Sequence, residues 1–225
     1  MQYTVIRKSQ RKTASVSVAP DNSVSVIVPD RLTDAEVESV VHGKRQWILK
    51  KKALNNEVRK PANPKSYVSG EAFSYLGRNY RLKVIPGSSN SVQCKAGRLI
   101  VEQDDSAESV PVRGQLERWY KVHALTKFKQ RIKRYATLLN VKPKNIKIGD
   151  FRRQWGSCYQ DQTIVLNWRV IMAPVSIVDY VVAHELCHLI HHDHSQEFWT
   201  LLSKIMPDYQ ERKDWLRVNG LYLEI

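Results

Sequence analysis

The sequence predicts an α+β protein, with a β-rich N-terminal part that has one helix and a C-terminal core of helices and a sheet. Up to residue 107, short runs alternate apolar and polar residues, the period of half-buried strands, and turn sequences separate these runs. From residue 108, apolar residues recur mainly at helical spacing. A polar segment at 103–108 separates the two patterns, so we predict two domains, at residues 1–107 and 108–225.

In the N-terminal part, valines at alternate positions predict strands at 16–18 and 24–28. Thr33 and Glu36 have the spacing of a capping box, and an apolar run follows them, so one helix is predicted from residue 34. Further strands are predicted after this helix, separated by turns, at 73–76, 80–85, 92–94 and 99–101.

In the C-terminal part, a long helix is predicted over residues 110–140. Its apolar stripe consists of Leu116, Tyr120, Ala124, Phe128, Ile132, Tyr135 and Leu139. The other faces of this helix carry eight basic residues and one acidic residue. Short strands are predicted near 146–148 and 163–166, followed by an apolar helix over 175–190 and two helices that begin near Ser195 and Tyr209.

Composition restricts the classes of function. The 225 residues include 36 Lys and Arg against 22 Asp and Glu, a formal net charge of +14, which favours an anionic partner such as nucleic acid or a nucleotide. No apolar run approaches the ~18 residues of a membrane span, and the N-terminus lacks a secretory signal. The three cysteines are far apart, so no disulfide framework is expected. A cytoplasmic protein without a membrane partner is therefore expected.

Five of the seven histidines lie between residues 184 and 194. Two of them belong to the sequence His184-Glu185-Leu186-Cys187-His188, an H-E-x-x-H pattern. Histidines four residues apart lie on one face of a helix and can bind the same zinc ion. Glu185 is then placed to act as the general base that takes a proton from a metal-activated water. The pattern therefore predicts Zn²⁺ as the cofactor.

A catalytic zinc needs a third protein ligand, and His194 is the preferred candidate. It follows His184 by ten residues, the offset of the last histidine in H-E-x-x-H-x-x-G-x-x-H zincins. His191 stands at the position of the motif's glycine, so the turn must form in another way. His192, Asp193 and Glu197 remain alternative ligands. The pattern predicts a zincin-like core of helices and sheet, of the minigluzincin or metzincin type.

Two further features bear on substrate binding. Arg152 and Arg153 are candidate substrate-binding residues, because arginines near a zinc ion can stabilise an oxyanion or a phosphate, although surface arginines are solvated by default. The strand predicted at 163–166 would bind an extended peptide by strand addition if its edge is open.

Several stretches together resemble the YgjP-like zincin-type metallopeptidase family, which is related to the SprT-like and WLM groups. These stretches are Arg153-Gln154-Trp155-Gly156-Ser157-Cys158, Leu166-Asn167-Trp168-Arg169, the segment 179–189 around the histidine motif, Asp193-His194-Ser195 and Pro207-Asp208-Tyr209. The resemblance implies a zinc-dependent hydrolase with ligands His184, His188 and His194 and the general base Glu185.

The preferred function is therefore a zinc-dependent hydrolase of the metallopeptidase type, in which a metal-activated water attacks an amide. One alternative is a metal-dependent phosphohydrolase or pyrophosphatase of nucleoside triphosphates, with Mg²⁺ or Mn²⁺ as the metal. The other is a DNA-associated metalloprotease or a nucleic-acid-binding module, in which the basic helix at 113–134 contacts phosphates without sequence preference.

Overall fold

The computed structural model describes residues 1–19, 21–57, 64–104, 110–151 and 154–225. In these ranges the chain forms six α-helices and three β-sheets, so the predicted α+β class is confirmed. Two compact units are present: the first contains the described residues of Met1–Lys60 with Arg217–Asn219, and the second contains those of Pro61–Leu216 with Gly220–Ile225. The boundary expected between residues 107 and 108 stays a prediction, and residues 105–109 lie outside the described ranges.

The first unit combines a three-stranded sheet with two helices. Strand β3 (Val24–Pro29) lies between β1 (Thr4–Lys8), to which it is parallel, and β2 (Ser15–Val18), to which it is antiparallel. Helices α1 (Asp34–Gly43) and α2 (Arg45–Glu57) follow. The core of this unit consists of Val24, Val26, Val28, Val37, Val41 and Ile48.

The capping box at the start of α1 has the predicted geometry. The Glu36 N–H donates to Thr33 Oγ1 at 3.3 Å, and the Thr33 N–H donates to Glu36 Oε2 at 2.8 Å. The prediction of one helix in this part is wrong, because the chain leaves the helical path at Lys44, where φ is −99° and ψ is 4°. Gly43 precedes this break, and glycine costs about 1 kcal/mol relative to alanine inside a helix.

The second unit begins with a four-stranded sheet in the order β4-β5-β7-β6. Its strands are β4 (Ala72–Tyr75), β5 (Arg78–Pro86), β6 (Val92–Lys95) and β7 (Arg98–Gln103). Between β4 and β5 the Leu76 N–H donates to the Ile171 carbonyl at 2.8 Å. Gly77 has a φ of 78°, and a Cβ at this position would lie 2.8 Å from Pro174 Cα. Glycine here lets the hairpin lie against the residues that lead into α4 (Val175–Cys187).

Helix α3 (Val112–Leu139) has the predicted position, and all seven residues of its predicted apolar stripe are buried. A second sheet follows in the order β8-β10-β9, with β8 (Asn145–Gly149), β9 (Gly156–Cys158) and β10 (Thr163–Asn167). Strand β10 is therefore central, paired on both sides, and all five of its residues are buried. It is not an open edge, and β9 is the edge strand on the antiparallel side.

Three further helices are α4, α5 (Gln196–Ile205) and α6 (Tyr209–Asn219), and α6 belongs to the second unit up to Leu216. Ten of the 13 residues of α4 are buried, and the helix shares one hydrophobic core with α3, β7 and β10. None of the described helices combines the length and the apolar surface that a bilayer crossing requires.

A bidentate ion pair joins α3 to α4. Arg131 Nη2 donates to Asp179 Oδ2 at 2.6 Å, and Arg131 Nε donates to Asp179 Oδ1. The Asp179 side chain is 9% exposed and the Arg131 side chain 15% exposed. Two parallel hydrogen bonds compensate for the desolvation of both charges and set the position of α4 along α3.

We expect Asp179→Asn to lower the free energy of unfolding by about 3 kcal/mol, because it leaves the Arg131 guanidinium partly buried without a counter-charge. Urea denaturation of the metal-free protein measures this value. Asp208→Asn is the matched control, since it breaks an i to i+4 ion pair with Arg212 in which the carboxylate side chain is 48% exposed, and we expect a loss of no more than about 1 kcal/mol. Equal losses in the two variants would contradict the role given to Asp179.

Candidate metal centre

Three histidines converge at the C-terminal end of α4. His184 lies in the last turn of the helix, His188 is its C-cap, and His194 precedes Ser195, the N-cap of α5. One ring nitrogen from each histidine lies within 4.8 Å of the other two. The Nε2 atoms of His184 and His194 are 3.0 Å apart. The structure thus brings together the three histidines that the sequence singled out.

The turn between His188 and His194 forms without the glycine of the zincin motif. After α4 the chain continues in tight helical turns, in which the Leu189 N–H donates to Leu186 and the His191 N–H donates to Cys187. No residue of this turn has a positive φ. Because a left-handed backbone is not used, an ordinary side chain such as that of His191 fits where the motif has glycine.

The alternative third ligands lie outside the cluster. Among the described residues, the group of potential ligands consists of His184, His188 and His194, without His192, Asp193 or Glu197. Asp193 instead supports the next helix, because its Oδ1 accepts the Ser195 N–H at 3.2 Å. The Ser195 hydroxyl in turn accepts the Phe198 N–H at 3.4 Å, so the predicted helix start at Ser195 is confirmed.

Two ligand candidates have their orientation set by neighbouring groups. His188 Nδ1 lies 3.0 Å from the His191 carbonyl oxygen, and as a donor to it His188 leaves Nε2 unprotonated for a metal. Trp199 Nε1 donates to the His194 carbonyl at 3.1 Å, and the Trp199 and His194 rings stack at 5.4 Å.

Phe198 forms the floor of the histidine cluster. Its ring centroid lies 4.5 Å from that of His188 and 4.9 Å from those of His184 and His194. In the sequence, Phe198 and Trp199 have the spacing of ordinary helix core, and that pattern does not show their contacts with the histidines. The feature of the sequence that could have predicted these contacts is spacing. Phe198 and Trp199 follow His194 by four and five residues, so the first turn of α5 places both next to it.

Burial controls the protonation of the cluster. Desolvation, followed by the neighbouring His188 and His194, lowers the pKa of His184 to about 3. The ring is therefore neutral near pH 7, the form that binds a metal. His184 Nδ1 is buried without a hydrogen-bond partner among the described residues, and its Nε2 faces the other two histidines. Three neutral imidazoles at this spacing form a donor set that suits Zn²⁺.

Glu185 is 5% exposed and faces strand β9. A Cβ at Gly156 would lie 2.5 Å from Glu185 Oε1, so glycine at this position makes room for the carboxyl group. Burial raises the pKa of Glu185 to about 8. Burial and the nearby Glu185 also raise the pKa of Cys158 to about 11, so Cys158 is a neutral thiol near pH 7.

The loop that leads into β9 is held by Asn167, which is fully buried. Its Nδ2 donates to the Phe151 carbonyl at 2.7 Å and to the Gln154 carbonyl at 3.2 Å. Arg152 and Arg153 lie outside the described residues, so their predicted role in substrate binding stays a prediction.

A triad of histidines at the end of a buried helix, with a buried glutamate beside the first of them, is an arrangement typical of metal-dependent hydrolases. A family described as "YgjP-like, metallopeptidase domain" matches residues 12–219. The chain therefore belongs to the YgjP-like family, as its motifs indicated, and that family implies a divalent metal.

One solved structure to which the chain is similar is that of "the metallopeptidase zymogen of Pyrococcus abyssi abylysin". The two chains are 19% identical over 44% of this chain and 99% of the other, with a TM-score of 0.40. No curated protein matches this sequence.

Replacing Trp199 by Phe should lower zinc affinity by about tenfold or more, because the ring stack is kept while the donor to the His194 carbonyl is lost. Competition with a chromophoric zinc chelator measures the affinity. Trp47→Phe, at a 41% exposed tryptophan of the first unit, is the control and should leave the affinity unchanged. Equal affinities of Trp199→Phe and the wild type would show that this hydrogen bond does not orient His194.

Glu185→Gln should stabilise the metal-free protein at pH 8 but not at pH 4.5. Between the ordinary pKa of 4.5 and the raised value of about 8, the unfolded chain loses the Glu185 proton while the folded protein keeps it. The wild type therefore loses stability as pH rises through this window, and the variant does not. At pH 8 we expect the free energy of unfolding of Glu185→Gln to exceed that of the wild type by at least ~1.4 kcal/mol, the free energy that corresponds to one pH unit of this window.

Urea denaturation in the presence of a chelator gives the two stabilities, since a bound cation would itself lower the Glu185 pKa. Glu211→Gln, at an exposed glutamate of α6, is the control and should show no pH-dependent gain. A constant difference between Glu185→Gln and the wild type across this range would mean that Glu185 is ionised in the folded metal-free protein.

Proposed function

We propose that this protein is a zinc-dependent metallopeptidase that holds the metal with His184, His188 and His194 and uses Glu185 as its general base. The observation that carries the proposal is the convergence of three imidazole nitrogens within 4.8 Å at the end of a buried helix. Membership of a family with a metallopeptidase domain supports the peptidase reaction.

When bound, zinc supplies a Lewis acid that polarises a carbonyl group and makes a water molecule more acidic. The remaining work falls to the protein's own groups. Glu185 accepts a proton from the attacking water on its carboxylate and passes it to the amine that leaves. Burial alone raises the pKa of Glu185 to about 8, and a cation bound to the histidines would lower it again, so that the carboxylate can accept a proton near neutral pH and release it later.

The position of β9 supports a polypeptide as the substrate. Among the described residues, β9 pairs with β10 on one side, and no strand pairs with its other edge. Gly156, its first residue, lies against Glu185. An extended peptide that hydrogen-bonds to this edge would place its backbone beside the general base. Strand β9 thus takes the role that the sequence gave to residues 163–166.

No contact in the described residues favours hydrolysis of nucleoside triphosphates, the alternative that the sequence left open. The arginines that would hold the phosphates, Arg152 and Arg153, lie outside the described residues. The experiment that tests the peptidase also tests this alternative.

Zinc-loaded wild type should cleave an unfolded polypeptide, and Glu185→Gln should reduce the rate at least ~100-fold while it retains the metal, because only the proton transfer is lost. His184→Ala should lose both metal and activity. Peptide products are followed by mass spectrometry, and zinc is measured by elemental analysis.

Glu197→Gln is the matched control, since it removes an exposed glutamate close to His194 in sequence and should leave the rate within about twofold. In parallel, nucleoside triphosphates are incubated with Zn²⁺, Mg²⁺ or Mn²⁺. Release of phosphate or pyrophosphate that depends on Glu185, without peptide cleavage, would replace the peptidase by the nucleotide hydrolase. Full zinc binding by His184→Ala would overturn the ligand assignment.

A further inference from the structure

A groove of about 570 Å³ in the second unit lies between the C-terminal third of α3 and the chain that leads into β8. We call it the lysine groove. Its rim carries Lys129 and Lys133 of α3 and Lys142 of the connecting loop, and its apolar floor includes the half-buried Val141 and Ile146.

The structure separates the basic residues of α3 into two kinds. Lys121 pairs with Glu117 and Arg131 pairs with Asp179, so these charges are neutralised within the protein. Lys127 donates to the Gln130 side chain at 3.1 Å. Lys129 and Lys133, in contrast, are exposed, form no ion pair with a described residue, and project into the groove. Only part of the basic stretch at 113–134 is therefore available to a partner at this site.

The charge of the lysine groove is of one sign. None of the described residues that line it is acidic, and Lys142, in the loop after α3, is exposed. Lys129 and Lys133 are one helical turn apart on the same face, a rise of ~6 Å. Three ammonium groups around one concavity focus a positive potential on it and favour a ligand with several negative charges.

The floor distinguishes between classes of polyanion. Val141 and Ile146 are half-buried and pack against the hydrophobic core, so the floor is a fixed apolar surface. A single-stranded nucleic acid has phosphates for the lysines and unpaired bases whose apolar faces can cover the aliphatic floor. A duplex keeps its base faces stacked inside and would leave the floor uncovered.

We propose that the lysine groove binds single-stranded nucleic acid without sequence preference. The backbone phosphates contact Lys129, Lys133 and Lys142, and unstacked bases lie on Val141 and Ile146. This binding goes beyond the peptidase reaction and does not depend on the metal centre.

The test is fluorescence anisotropy with a labelled 12-nucleotide oligothymidylate, measured over a range of salt concentrations. The variant Lys129→Glu/Lys133→Glu/Lys142→Glu should bind at least ~10-fold more weakly at low salt. The slope of log K against log salt should become shallower by about 2, since each single-strand phosphate contact contributes about 0.7. A milder triple variant should also bind more weakly than the wild type, with a shallower salt slope: Lys129→Gln/Lys133→Gln/Lys142→Gln.

The matched control is Lys83→Glu/Lys95→Glu/Arg98→Glu, which changes the net charge equally at exposed positions on the four-stranded sheet. It should bind within about threefold of the wild type. Equal losses in both triple variants would assign binding to net charge and overturn the proposal. The proposal would also be overturned if the wild type did not bind the oligonucleotide, or if an equimolar acidic peptide displaced it. Glu185→Gln should bind like the wild type, so failure of the peptidase proposal leaves this result unaffected.

Discussion

The burial of α4 on nearly all its faces is the constraint on which the site depends. The helix lies in one hydrophobic core with α3 and the sheet of β8, β9 and β10. Ser176 in its first turn is exposed, and His184 is half-buried at its C-terminal end. That end carries the histidines. The rigid core therefore determines where their nitrogens lie, while the turn after His188 brings the third histidine back to the first two. A site on a buried helix is held more rigidly than one built on loops.

Burial also determines the charge states of the polar groups on α4. Each of them lies in the low dielectric of the core, but their neighbours differ. Asp179 forms a bidentate ion pair with the guanidinium of Arg131, so that each group has a partner in the core. Glu185 faces a glycine on β9, and its pKa rises. His184 is held neutral by the same desolvation. One carboxylate thus stabilises the fold, while the second gains a pKa suited to proton transfer at the cost of some stability in the metal-free protein.

The basic residues that give the net charge of +14 have more than one role. Some of them form ion pairs that fasten helices, such as Arg131 to Asp179 and Lys121 to Glu117. Others lie around the concave surface between α3 and β8, where none of the described lining residues is acidic. Counting charges along the helix does not separate these roles, because a paired and an unpaired lysine look the same in the sequence. Their separation depends on which side chains lie within reach after folding.

The sequence by itself determined the α+β class, the long helix α3, the start of α5 at Ser195 and the histidines of the candidate site. These features rest on local patterns, namely helical periodicity, capping residues and the fixed i to i+4 geometry of H-E-x-x-H. The break between α1 and α2 is also local, but its signal at Gly43 is weak. Only the tertiary structure decided that β10 is central and β9 the edge, that Gly156 makes room for Glu185, and that Trp199 holds His194. These features depend on contacts between segments that are distant in sequence or on the direction of a turn, and neither periodicity nor residue type specifies which segments meet.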